Sequence, residues 1–226
     1  MGRDFHLQVK ISTTDFNNAA IPWEGKGNTL SESVQVCQWL EQAGVDAIHV
    51  SCGSMFPHPK NPAGDLPMKE AGMTYDIMSA SGRHTRRNLF FFRTWPFNAA
   101  FRWWWVHNRG RVVEGINLSD SRAVKQAVGI PVICTGGFQT ASVIRQAVSG
   151  GDCDGVSIAR SLVANNDLVK LFAQGHDCAP RPCTYCNKCM LHTLKNPLGC
   201  YEESRFESRE AMLKQIMSVF EPPPFR

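Results

Sequence analysis

The sequence has 226 residues, 43% hydrophobic and 19% charged, a balance that supports one globular domain, or one with a small appendage, and excludes a disordered or fibrous chain. The formal net charge of +4 is spread along the chain instead of gathered in a tail, so no nucleic-acid partner is expected. Charges and a histidine occupy Met1 to Lys10, where a secretory signal needs an apolar core, and the expected location is the cytoplasm.

A Met-Gly start invites myristoylation, but His6 stands where that motif needs Ser or Thr. Leu7 to Ser12 and Ala47 to Ser51 are short β-favouring runs. Between them Thr29 and Glu32 make a capping box, Leu30, Val34, Cys37 and Leu40 an apolar stripe, and Gly44 a left-handed stop, which predicts one helix and a βαβ unit. Gly53 to Gly115 then breaks the rhythm with an excursion rich in Pro, Gly and aromatic residues. It leaves the C-terminal end of a strand, the side on which α/β folds bind ligands, so it is expected to cover a site. Inside it, Asn88 to Val106 is apolar enough to suggest a membrane segment, but Arg93, Pro96 and Arg102 interrupt it, and a span needs about 20 mostly uncharged apolar residues. An aromatic wall packed on the domain or on a partner is expected instead, and no membrane contact.

Regular alternation returns with a predicted helix from Leu118 to Val128, a buried-type strand from Pro131 to Cys134 and a helix from Ala141 to Val148. A strand from Asp154 to Ile158 and a helix from Leu162 to Phe172, ending near Gly175, complete the series. Strand and helix alternating in this way predict a parallel α/β sheet, doubly wound or barrel. Residues 1–176 form this unit, and residues 177–226 a cysteine-rich segment followed by a helix from Ser208 to Phe220.

Thr135-Gly136-Gly137-Phe138 follows a strand and precedes a helix, so backbone free of side chains can approach an anion with its N–H groups pointing outward. The next strand ends in Ser157-Ile158-Ala159-Arg160, which sets a cation at the neighbouring strand end, where barrels build phosphate sites. The plain alternative for Arg160 is a surface salt bridge. Nine cysteines are an odd number, and Cys183, Cys186 and Cys189 form CxxCxxC with Cys200 after ten further residues. In a reducing compartment such clustering points to ligands, not disulfides. A [4Fe–4S] cluster, a structural zinc and unligated thiols all remain open, and Cys178 is an alternative ligand. Asn196 to Gly199 is a turn that would return Cys200 toward the others. His49 and His58 lie on the expected site face but read as packed residues, and Lys188 and Arg181 as solvating charges of the cysteine loop.

PVICTGGF and CDGVSIARSLVANNDLVKLFAQG resemble the last two βα units of the Old Yellow Enzyme family of flavoproteins, and the resemblance extends over nearly the whole chain. It implies a partial TIM (β/α)8 barrel, its last four βα units, with a Cys-rich C-terminal extension. It further implies FMN bound through Gly136, Gly137, Ala159 and Arg160, with NAD(P)H as reductant and an activated alkene or similar small molecule as acceptor. LQVKIS resembles the family's fifth strand, which places Lys10 near N1 and O2 of the isoalloxazine. A fixed cation there would stabilise the negative charge of reduced flavin; the alternative is a rim charge. A CxxCN segment just after the barrel binds a [4Fe–4S] cluster in some members, with slightly longer spacing between the last two cysteines. A full barrel has eight βα units and typically about 250 residues, so strands one to four are missing on this reading, and with them most of the family's substrate-binding and proton-donating residues. Self-association, or a chain supplying the other half, is therefore expected. A non-catalytic half-barrel that binds FMN, phosphate or a partner subunit is the competing reading.

Overall fold

The computed structural model describes residues 5–16, 27–54 and 57–218. Strands β1 (Gln8–Asp15), β2 (Ala47–Gly53), β3 (Val132–Thr135) and β4 (Gly155–Ser157) form one parallel sheet in the order of the sequence. Helices α1 (Leu30–Gln42), α5 (Leu118–Ala127) and α6 (Ala141–Ser149) connect or follow these strands, while α2 (Met68–Ile77), α3 (Arg83–Arg93) and α4 (Phe97–Asn108) fill the excursion. The short helices α7 (Arg160–Ala164), α8 (Leu168–Ala173) and α9 (Lys188–His192) and the terminal α10 (Arg209–Ser218) complete the chain. Each strand is laid beside the previous one with no reversal of order. Such a sheet is compatible with part of a barrel.

The two faces of the sheet differ because side chains alternate along a strand. Ile48, Val50 and Val132 point to the helical side and bury completely with Cys37 of α1 and Val124 of α5, each worth roughly 1.5–3 kcal/mol for the larger aliphatic side chains. Cys134, Phe138, Ala147 and Cys153 extend this core toward α6. The other face carries Lys10, His49, Ile133 and Gly155 in one registered row, Ser12 with Ser51 in a second and Thr135 with Ser157 in a third. That face is polar and only partly buried, and Lys10 is exposed on it.

Local signals place most elements where expected. Thr29 accepts from the Glu32 backbone N–H and Glu32 accepts from that of Thr29 at 2.8 Å, closing the box that starts α1, and Gly44 takes φ +87° beyond its end. The tail helix runs from Arg209 to Ser218, and Val219 and Phe220 lie outside the described residues. The single helix expected from Leu162 to Phe172 is corrected: it is two short helices, α7 and α8, separated at an extended Asn165. Arg205 holds that break by donating to Ala164 O and Asn165 Oδ1, both at 2.9 Å, from 40 or more residues away. Tertiary bonds to the freed carbonyl offset what the helix loses there.

In the excursion, Ala71 of α2, Phe92 of α3, and Phe101 and Trp105 of α4 bury together as a second core. α3 and α4 are separate helices around Pro96, and among the described residues no helix is long and apolar enough to cross a membrane. Trp105 is 2% exposed and its indole N–H donates to Gly64 O at 2.9 Å, which ties the aromatic wall to the loop leading from β2.

Candidate functional site at the strand ends

Beyond the paired Thr135 and Ser157, the chain leaves β3 through Gly136 and Gly137 and leaves β4 through Ile158 and Ala159. Gly137 is left-handed, φ +70°, and a Cβ there would stand 3.0 Å from Val113 O and 3.4 Å from the Tyr185 ring. The Gly115 N–H donates to Gly136 O at 2.6 Å and the Tyr185 hydroxyl to Gly137 O at 2.6 Å. The glycine turn is thus roofed by its own chain on the side a Cβ would occupy. Among the described residues the backbone N–H groups of Gly137, Phe138 and Ala159 have no acceptor. Three donors without acceptors at neighbouring strand ends are an anion-seeking arrangement.

The first turn of α6 is not part of that arrangement. Glu114 holds the chain just ahead of it, accepting from the N–H groups of Gln139 (2.6 Å) and Thr140 (2.7 Å) and from the Thr140 hydroxyl (2.9 Å). Asp177 adds a second carboxylate, taking the Ser142 N–H at 2.6 Å. An anion at the glycine turn would therefore rest on the turn itself and on the β4 end, since the α6 donors already have negative partners.

Arg160 departs from the plain surface-bridge reading. Its guanidinium is half-buried, donates to Ala63 O at 2.6 Å and to Asn187 Oδ1, and lies 5.4 Å from the centre of the Tyr185 ring. It joins the excursion to the cysteine segment, while its backbone stays at the start of α7. Asn187, 2% exposed and left-handed at φ +61°, completes the junction by donating to Asp65 O at 2.7 Å. Gln139, just past the glycine turn, clasps the Cys183 backbone, accepting its N–H at 2.8 Å and donating to its carbonyl at 3.3 Å. The cysteine segment is thereby fastened onto the glycine turn. None of Glu114, Tyr185 and Gln139 stood out in the sequence, whereas Asn187 is the Asn of the CxxCN segment, a residue type that tolerates a left-handed backbone.

Cys183, Cys186, Cys189 and Cys200 are all half-buried free thiols. The Tyr185 N–H points to Cys183 Sγ at 3.4 Å. Burial raises the thiols of Cys183 and Cys186 and pushes Cys189 up to about 11, with the nearby Cys183 and Cys186 adding to the rise. At neutral pH these three are protonated, so any metal bound there must displace protons. Among the described residues no three His, Cys, Asp or Glu side chains converge as they would around one metal ion. Cys178 is exposed. Lys188, expected to be a solvating charge, pairs with Glu202 at 3.2 Å beside Cys186.

On the polar sheet face, Lys10 stands in register with His49, and His49 Nε2 is hydrogen-bonded to the Thr135 hydroxyl. Burial, and then the Lys10 charge, lower the His49 pKa, so the imidazole is neutral near pH 7. His58 lies off this face, stacked on Phe16 at 5.0 Å.

No family model matches the chain. It is similar to a metal reductase of Desulforamulus reducens, 35% identical over 215 residues, 94% of this chain and 24% of that protein. It is similar to an NADH oxidase of Thermoanaerobacter brockii, 24% identical over 97% of this chain and 27% of that protein. A third relative is a 4,4'-dithiodibutanoate disulfide reductase of Rhodococcus erythropolis, 28% identical over 82% of this chain and 42% of that protein. The chain thus spans roughly a quarter to two-fifths of the length of these relatives. Their names fit the family whose strand-end motifs the sequence resembles, the NADH:flavin oxidoreductases of the Old Yellow Enzyme type.

Proposed function

We propose that the chain is an arc of a (β/α)8 barrel, its last four βα units over residues 1–176 followed by a cysteine-rich extension over 177–226, and that it binds FMN as part of an NAD(P)H-dependent oxidoreductase. The observation that carries this reading is the set of N–H groups without acceptors at Gly137, Phe138 and Ala159, on adjacent strand ends. A phosphate accepts from several such donors at once, and the C-terminal ends of late barrel strands are where phosphate sites form. Bound FMN would carry hydride from the nicotinamide to an activated alkene or similar acceptor. In this chain Gly136, Gly137, Ala159 and Arg160 hold the phosphate end. Lys10, on the polar face two strands away, supplies positive charge toward the ring, and neutral His49 with Thr135 lines the row between them.

The four cysteines fit a [4Fe–4S] cluster by their donor set, by the Tyr185 N–H directed at Cys183, and by the buried Arg205 donor at Cys200.

A half-barrel without turnover is favoured by one observation. β1 and β4 each have one neighbour in the sheet among the described residues, and the polar face that carries Lys10 is open. Another copy, or a chain with the remaining strands, would cover it. Titration of the purified chain with FMN decides. Quenched flavin fluorescence and retained flavin absorption after gel filtration are expected, Arg160→Ala should weaken retention by about tenfold, and a chain that stays colourless refutes the reading. Turnover with NAD(P)H then separates enzyme from binding fragment.

A further inference from the structure

Arg205 is 8% exposed and lies one short turn beyond Cys200. Its guanidinium reaches three separate parts of the chain. Nη1 donates to Cys200 Sγ at 2.9 Å, and Nη2 donates to Ala164 O at 2.9 Å, Asn165 Oδ1 at 2.9 Å and Arg181 O at 2.6 Å. Nε is buried with no hydrogen-bond partner, and among the described residues no carboxylate pairs with the guanidinium. A guanidinium keeps its charge at any pH a protein experiences and is strongly disfavoured inside a protein without a counter-ion. Here its neutral acceptors are carbonyl and amide oxygens, and the remaining one is sulfur. The acceptor that would complete the site is an anionic sulfur centre.

The bonds to Ala164, Asn165 and Arg181 explain why a long donor stands at this position; any neutral donor of similar reach would serve them. They do not explain a permanent charge with an unfilled donor beside a cysteine. We propose that Arg205 is the counter-cation of the four-cysteine centre, a positioning residue that fixes Cys200 through its Sγ and offsets the centre's negative charge. Net charge and hydrogen bonds to sulfur set the potential of an iron–sulfur centre, so Arg205 raises it and makes the reduced form easier to reach. This inference rests on the cluster reading given above.

The test uses the full chain, purified anaerobically and reconstituted with ferrous iron and sulfide, and compares wild type with Arg205→Gln and Arg205→Lys. Iron and sulfide content, melting temperature and the midpoint potential followed by electron paramagnetic resonance are measured for each. Arg205→Gln is expected to keep iron and sulfide but to shift the reduced-to-oxidised ratio at fixed potential by about tenfold toward oxidised, which is ~59 mV for a one-electron couple. Arg205→Lys should recover most of the potential while losing thermal stability. A structural bolt would lower the melting temperature and leave the potential alone, and an unchanged potential in a folded, loaded Gln variant overturns the proposal while leaving the cluster in place. Wild type that takes up no iron and sulfide overturns the cluster reading and the role of Arg205 with it. If the Gln variant does not fold, the Lys variant decides by its g-values: altered g-values at full iron content support the contact to Cys200, and unaltered g-values refute it.

Discussion

Gly64 is the residue on which the excursion and the cysteine segment meet. It adopts φ +117°, and a Cβ would stand 2.2 Å from Tyr185 O, a backbone atom held by the Asp65 N–H at 2.9 Å. Gly64→Ala is therefore expected to cost about 1–3 kcal/mol, from backbone strain and forced separation of the two loops. Thermal denaturation measures it, and an unchanged melting temperature would contradict the packing described. Lys10 acts differently, because its exposed ammonium contributes little to the fold. Lys10→Ala should leave stability within about 0.5 kcal/mol and make the potential of bound FMN more negative, since a cation that stabilises the reduced anion is removed; spectroelectrochemical titration checks the sign. Arg160 and the cysteines stood out in the sequence by residue type and spacing, and Lys10 through the family resemblance of its strand. Glu114 and Arg205 did not, because most of their partners lie more than 20 residues away in the sequence and neither has a local pattern of its own.

Elements show the same division. α1 is written in its own sequence: capping box, apolar stripe and terminal glycine all lie within 16 residues of one another, from Thr29 to Gly44. α6 depends on distant carboxylates, Glu114 from the end of the excursion and Asp177 from beyond α8. Glu114→Ala should therefore lower stability by about 1 kcal/mol, the usual worth of an N-terminal cap with favourable dipole charge. That corresponds to a fall in melting temperature of about 2–4 °C for a chain of this size, while Glu114→Gln should recover part of it. The break between α7 and α8 was hidden for the same reason. Leu162 to Phe172 has helix-forming composition, and only Arg205 arriving at Ala164 and Asn165 makes the interruption favourable.

At the level of the whole molecule, burial converts composition into pH dependence. His58 stacks on Phe16 at 5.0 Å and meets the edge of Trp104 at 5.5 Å, and burial, followed by the Lys60 charge, moves its pKa from 6.5 down to about 4. Between those values the unfolded chain holds a proton that the folded chain does not. Stability is thus fully present above pH 6.5 and is lost as pH falls toward 4. His49 acts in the same direction, through burial and then Lys10. Urea midpoints measured from pH 7 to pH 5 should fall, and His58→Asn should flatten the decline; parallel curves for the two proteins would remove His58 as its source.

The strand-helix rhythm, the glycine turn and the cysteine spacing belong to the sequence, because period, turn chemistry and residue type are local quantities that any segment carries alone. Tertiary structure decided which donors stay free. It gave the approach to α6 and its first turn to Glu114 and Asp177 and roofed Gly137 with Tyr185, leaving the N–H groups of Gly137, Phe138 and Ala159 without acceptors among the described residues. It also carried the cysteine segment onto the glycine turn through Gln139 and set a buried, uncompensated Arg205 against Cys200. Satisfaction of a polar group is a property of everything packed around it, and that is set only when segments far apart in the chain have met.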